Sequence, residues 1–152
     1  MPQSRLLFEH QDGPLTFSIE RASYNLSDKR LFSCSFECKL NEEFDYMSAP
    51  FFAAHNINSN GGMRLGQRLQ VTPKYEQGQI PELPRVHLYT GRHYNPWDTT
   101  LEIVSVISGT IGIMGSFMTL DPNYYDARAK DTHVTFFATF VAGPASELWS
   151  PC

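Results

Sequence analysis

Near its start the chain has no long apolar run, nowhere does it cluster lysine with arginine, and it carries no extended stripe of apolar residues at helical spacing. Each absence excludes a class. Residues 1–13 mix Arg5, Glu9, His10 and Asp12 with only Leu6, Leu7 and Phe8 in succession, so the apolar core of an export signal is missing and a cytoplasmic location is expected. The net charge is −4, and basic residues such as Arg64 and Arg68 stand apart, which argues against a general nucleic-acid binder. A mildly acidic surface suits either simple solubility or a basic protein partner. Charged residues make up only 18% of the chain, whereas apolar residues at 41% and aromatics at 13% are enough for a core, so disorder is not expected.

Cysteine is also scarce, at three residues, which fits a reducing compartment. Cys34 and Cys38 fall in a segment that reads as a strand. They then share one face about 13 Å apart, at roughly 3.3 Å per residue. A disulfide needs Cα atoms within about 7 Å, so these two are expected as separate buried thiols. Residues 103–120 are eighteen positions without a charge, near the length of a membrane span. Ser105, Ser108, Gly109, Thr110, Gly112, Gly115, Ser116 and Thr119 interrupt them, and a hairpin fits better.

What the chain does have is alternation. In residues 15–21, Leu15, Phe17 and Ile19 oppose Thr16, Ser18 and Glu20. In residues 29–40, Phe32, Cys34, Phe36, Cys38 and Leu40 oppose Ser33, Ser35, Glu37 and Lys39. Asn25, Ser27 and Asp28 between them supply turn chemistry, so the two predict an antiparallel hairpin with one buried face. Residues 51–55, 68–72 and 85–90 read as short strands. Residues 99–107 and 110–120 read as strands joined at Ser108-Gly109, with Gly112 and Gly115 marking a bulge or a close backbone approach. Residues 132–141 are apolar on both faces, which predicts a central strand or one covered by Leu148 and Trp149. The expectation is a single mainly β domain, an antiparallel sandwich or barrel of about seven to nine strands. One short helix fits at residues 47–54 or near Leu83.

Motifs for catalysis and metals are mostly missing. His10, His55, His87, His93 and His133 show no zinc spacing, although His87 and His93 flank Gly91 and have a route to converge. Asp121, Asp126 and Asp131 recur every five residues without the compact order of a calcium loop, and turn or solvating roles suit them better. The glycine-rich loop of residues 58–66 matches neither phosphate-cradling template. No serine sits in a nucleophile elbow, and thiols on an apolar face are unreactive. Neither an enzyme class nor a cofactor is expected.

Three polar-aromatic loops remain. Residues 41–47 contain Glu42, Glu43, Asp45 and Tyr46; residues 121–131 contain Asp121, Tyr124, Tyr125 and Asp126; and residues 94–98 contain Trp97. Aromatics beside carboxylates provide contact area with a polar handle, a composition enriched at protein interfaces. The competing expectation is that these rings fold back as caps on the core.

The segment Leu101-Glu102-Ile103-Val104-Ser105-Val106, the turn at Gly109, and Asp121-Pro122-Asn123-Tyr124-Tyr125-Asp126 ahead of a last strand resemble small β-rich bacterial immunity proteins. The resemblance covers residues 99–141, about a third of the chain. It implies a cytoplasmic non-enzyme that binds a toxin domain and blocks its active site, and it transfers no residue roles. Other expectations are a lipocalin-like carrier with an apolar cavity, or a structural subunit of a larger assembly.

Overall fold

The computed structural model describes residues 3–27, 31–43, 47–59, 63–71, 84–122 and 128–143. Its regular elements are ten strands: β1 (Arg5–Glu9), β2 (Leu15–Leu26), β3 (Leu31–Cys38), β4 (Phe51–Asn58), β5 (Arg68–Val71), β6 (Arg85–Tyr89), β7 (His93–Tyr94), β8 (Trp97–Ile107), β9 (Thr110–Thr119) and β10 (Thr132–Ala142). No helix occurs among the described residues. The short helix allowed for at residues 47–54 is therefore corrected, because Phe51 onward forms β4. Leu83 lies outside the described residues.

The strands join one sheet in the order β5-β8-β9-β10-β1-β2-β3-β4-β6-β7. Neighbours run antiparallel. The edges β5 and β7 are not paired with each other among the described residues, so the sheet is not a closed barrel. It rolls instead. Phe52 of β4 stacks on Phe117 of β9 at 5.2 Å, although four strands separate them in the sheet order. Phe36 of β3 meets Phe136 of β10 at 5.0 Å in the same way. One sheet thus supplies both walls of the core, and no second sheet occurs among the described residues.

Local alternation explains most strands. On β10 the residues Val134, Phe136, Ala138 and Phe140 are buried. This strand lies inside the sheet between β9 and β1, one of the two outcomes expected from its two-faced apolar character; Leu148 and Trp149, the covering residues of the other, lie outside the described residues. Cys34 and Cys38 are buried free thiols on the core side of β3. Burial raises the Cys34 thiol to about 12 and pushes Cys38 further up, which removes both as nucleophiles at neutral pH.

Three details differ from the sequence reading. Two strands appear where none was expected, β1 and β7. β1 hides because only Leu6 and Phe8 carry its core face between charged Arg5 and Glu9. β2 runs on to Leu26, through Asn25, one of the residues expected to supply turn chemistry. Finally, β3 is buried on both faces: Ser35 is 0% exposed and so is Ala53 opposite it on β4.

Irregularities fall where the chain allows them. Gly109 takes φ +80° in the β8–β9 turn, a conformation that favours glycine. Asn56 takes φ 60° at a bulge in β4 and donates its N–H to Ser33 Oγ at 3.1 Å, a position that asparagine tolerates better than most residues. β1 is short. Beyond it β10 and β2 meet directly, with Val141 paired to Ser23 and Ala142 to Tyr24 in parallel.

Candidate functional site

Antiparallel pairing decides which loops share an end. Glu9 opposes His133, His133 opposes Met118, and Met118 opposes Trp97. On the other side Glu37 opposes Phe51, Phe51 opposes Tyr89, and Tyr89 opposes His93. The turn after β1, the loop after β3, the β6–β7 turn, the start of β8 and the loop after β9 therefore form one rim. All three polar-aromatic loops singled out in the sequence reach this rim.

Bonds between loops hold it together. Ser48 donates its N–H to the Thr90 carbonyl at 3.0 Å, linking the loop after β3 to the β6–β7 turn. The Tyr94 hydroxyl donates to the Pro122 carbonyl at 3.3 Å. Arg128 grips Asp12 through two guanidinium nitrogens, at 3.1 and 3.2 Å, joining the loop after β9 to the β1–β2 turn. Asn41 donates to the Thr16 carbonyl at 3.0 Å and accepts the Glu43 N–H at 3.1 Å, so its side chain shapes the loop that presents Glu42 and Glu43.

The shortest of these links is buried. His10 Nε2 lies 2.8 Å from Asp121 Oδ1, and both side chains are 1% exposed. The Asp12 N–H donates to His10 Nδ1 at 3.2 Å, which leaves that nitrogen unprotonated and puts the ring proton on Nε2, facing the carboxylate. A histidine beside an aspartate is an arrangement found in catalytic sites. Here both ring nitrogens are occupied and the pair is closed to solvent, so it acts as a clasp between rim loops.

Between the clasp and the β6–β7 turn lies a groove of about 540 Å³. Arg92, His93 and Tyr94 form one wall, and Leu120, Lys130 and Asp131 the other. Its charge is mixed, because Arg92 and Lys130 stand beside Asp131. The groove thus adds basic groups to the acidic-aromatic character read for these loops in the sequence.

The candidate residues separate as follows. Glu42 and Glu43 are exposed on the rim, and Trp97 is half-buried at the first position of β8. Asp121, expected to be exposed for contact, is instead buried against His10 at the base of the groove. Asp45, Tyr46, Tyr124, Tyr125 and Asp126 lie outside the described residues. Of the proposed aspartate series, Asp121 is engaged in the clasp and Asp131 is exposed on the groove wall. Sequence reading missed His10, Asp12, Tyr94 and Arg128. His10 and Asp121 are 111 positions apart, and no local signal connects them.

His87 and His93 do converge. Their ring centroids lie 5.7 Å apart, and Tyr89 packs on His93 at 4.9 Å. Burial, then His93, His55 and Arg85, push the His87 imidazole down to about 4, and burial with Arg85 does the same to His55. No group of three or more His, Cys, Asp or Glu able to hold a metal ion occurs among the described residues. No described helix is long and apolar enough to cross a membrane, and residues 103–120 fold as β8, its turn and β9. The chain matches no family model, no curated protein and no solved structure.

Proposed function

We propose that this chain is a non-enzymatic protein-binding module that presents its rim to a partner, in the manner of an immunity protein neutralising a toxin domain. The observation that carries the reading is the pre-assembly of the rim. Loops far apart in sequence are brought to one end and locked by the His10–Asp121 clasp, the Arg128–Asp12 pair and the Tyr94 hydrogen bond. Loops held in place before contact lose less conformational freedom on binding, which favours affinity. Glu42 and Glu43 supply carboxylates, Trp97 an aromatic edge, and the groove a socket with charges of both signs.

The packed interior favours this reading over a carrier. Phe36, Phe52, Phe117, Phe136 and Phe140 pack against one another with ring centroids 5.0–6.5 Å apart across the centre, where a lipocalin-like protein keeps a ligand chamber.

The test is to look for a toxin domain encoded beside the gene and to co-express the chain with it, scored by growth; a neighbourhood without one counts against the reading. The parent chain is expected to protect. A triple variant with Glu42→Lys, Glu43→Lys and Trp97→Ala is expected to lose protection while keeping the parent's thermal unfolding midpoint. Equal protection by parent and triple variant, or none by the parent, would remove this reading.

A further inference from the structure

The outer face of the sheet carries a second concavity, of about 440 Å³, whose lining lies on β1, β5, β8, β9 and β10. Strand register builds it from two parallel rows. The first row runs Arg68, Glu102, Met114, Phe137, Arg5, each residue directly opposite the next across five strands. Two positions along the strands, the second row runs Thr100, Ser116, Thr135, a line of hydroxyls. The result is a trough with an apolar centre, a line of hydroxyls along one side and an arginine at each end, with Gly115 and Phe136 between the two rows.

Its surface composition is unusual for a chain of net charge −4. Met114 stands 54% exposed in the middle of a sheet, and Phe137 beside it is only half-buried. Arg5 makes no ion pair among the described residues. Arg68 engages Glu102 through Nε at 3.2 Å, and a guanidinium has further N–H groups for a second carboxylate. Four strand spacings separate the arginines, about 19 Å at roughly 4.8 Å each. That is too far for one small anion to bridge. A nucleic-acid strand would need an unbroken basic stripe, and Glu102 interrupts this one. Arginine, methionine and phenylalanine together are the residues enriched at protein interfaces.

We propose that this trough binds an extended acidic peptide segment of a partner protein, with an apolar side chain seated on Met114 and Phe137 and carboxylates reaching Arg5 and Arg68. About six extended residues span the distance at roughly 3.3 Å each. The hydroxyls of Thr100, Ser116 and Thr135 alongside then meet the polar groups of the peptide backbone. The site is separate from the rim, so it stands or falls independently of the neutralisation reading.

The experiment is fluorescence anisotropy of the intact chain with a labelled peptide, Glu-Glu-Leu-Gly-Glu-Glu, at low and high salt. Saturable binding is expected, weakened by salt and by at least about fivefold in Arg5→Glu and in Met114→Ser, a loss near 1 kcal/mol. Both substitutions are at exposed positions, so an unchanged thermal midpoint is expected to accompany the loss. A control peptide with serine in place of leucine is expected to bind more weakly, and one with lysine in place of glutamate not at all. Absence of saturable binding, equal affinity for the serine control, or unchanged affinity in both variants overturns the proposal. So does a dimer in sedimentation that Arg5→Glu dissolves, because the occupant is then a second copy of the chain.

Discussion

His10 shows how a single side chain changes meaning once its neighbours are known. In the sequence it is one of five scattered histidines; in the fold it closes the rim against Asp121. Removing the ring in His10→Ala leaves a carboxylate at 1% exposure without that donor. Leaving a buried carboxylate without its hydrogen-bond donor costs about 3 kcal/mol. Asp121→Asn keeps an acceptor for the Nε2 proton and is expected to cost far less, about 1 kcal/mol. Urea unfolding of the two variants checks the order, and an Asp121→Asn loss as large as that of His10→Ala would contradict the assigned tautomer. The same residue scale explains why Asp121 was expected to be exposed: acidic turn residues usually face water, and nothing local to Asp121 announces a partner 111 positions away.

Strand β9 tests the element scale. Its Gly112 and Gly115 were legible as weak points, and the fold gives each a cause. A Cβ at Gly112 would come within 2.4 Å of Ser105 Oγ, where β8 is bulged. One at Gly115 would lie 2.2 Å from Phe136 Cε2 and 2.3 Å from Cζ. The Phe136 ring therefore occupies the space that a side chain on its cross-strand partner would need. Gly115→Ala is expected to destabilise by about 1–3 kcal/mol through overpacking. Combining it with Phe136→Leu is expected to cost less than the sum of the two single changes, because the residues are in contact. Chemical denaturation of the three variants decides, and strict additivity would mean that the clash is relieved elsewhere. β1 shows the opposite case, an element invisible locally. Two core residues between charges carry little periodic signal, yet pairing with β10 and β2 on both sides makes it central.

At the scale of the whole molecule, His55 and His87 link stability to pH. Both are held down to about 4 from an ordinary 6.5, so the unfolded chain binds more protons between these values. Their contribution is complete above about pH 6.5, declines as pH falls, and is gone below about pH 4. The thermal midpoint is expected to drop across this window, and more steeply for the parent than for a variant with His55→Gln and His87→Gln. Parallel pH profiles would show that these histidines do not carry the dependence. Architecture belongs to this scale as well. Sandwich and barrel were left open because the number of sheets depends on how far one sheet rolls, and rolling is visible only in contacts such as Phe52 on Phe117.

The amino-acid sequence by itself determined where most strands lie, which of their faces carry the core, that Ser108-Gly109 turns the chain, and that Cys34 and Cys38 stay apart. These follow from the two-residue repeat of a strand and from turn chemistry, both of which act within a few positions. Tertiary structure alone decided the strand order, the insertion of β1 between β10 and β2, the single rolled sheet and the gathering of distant loops into one rim. Backbone ladders pair any strand with any other, so the choice among partners rests on side chains that meet only after the chain has folded back across more than a hundred residues.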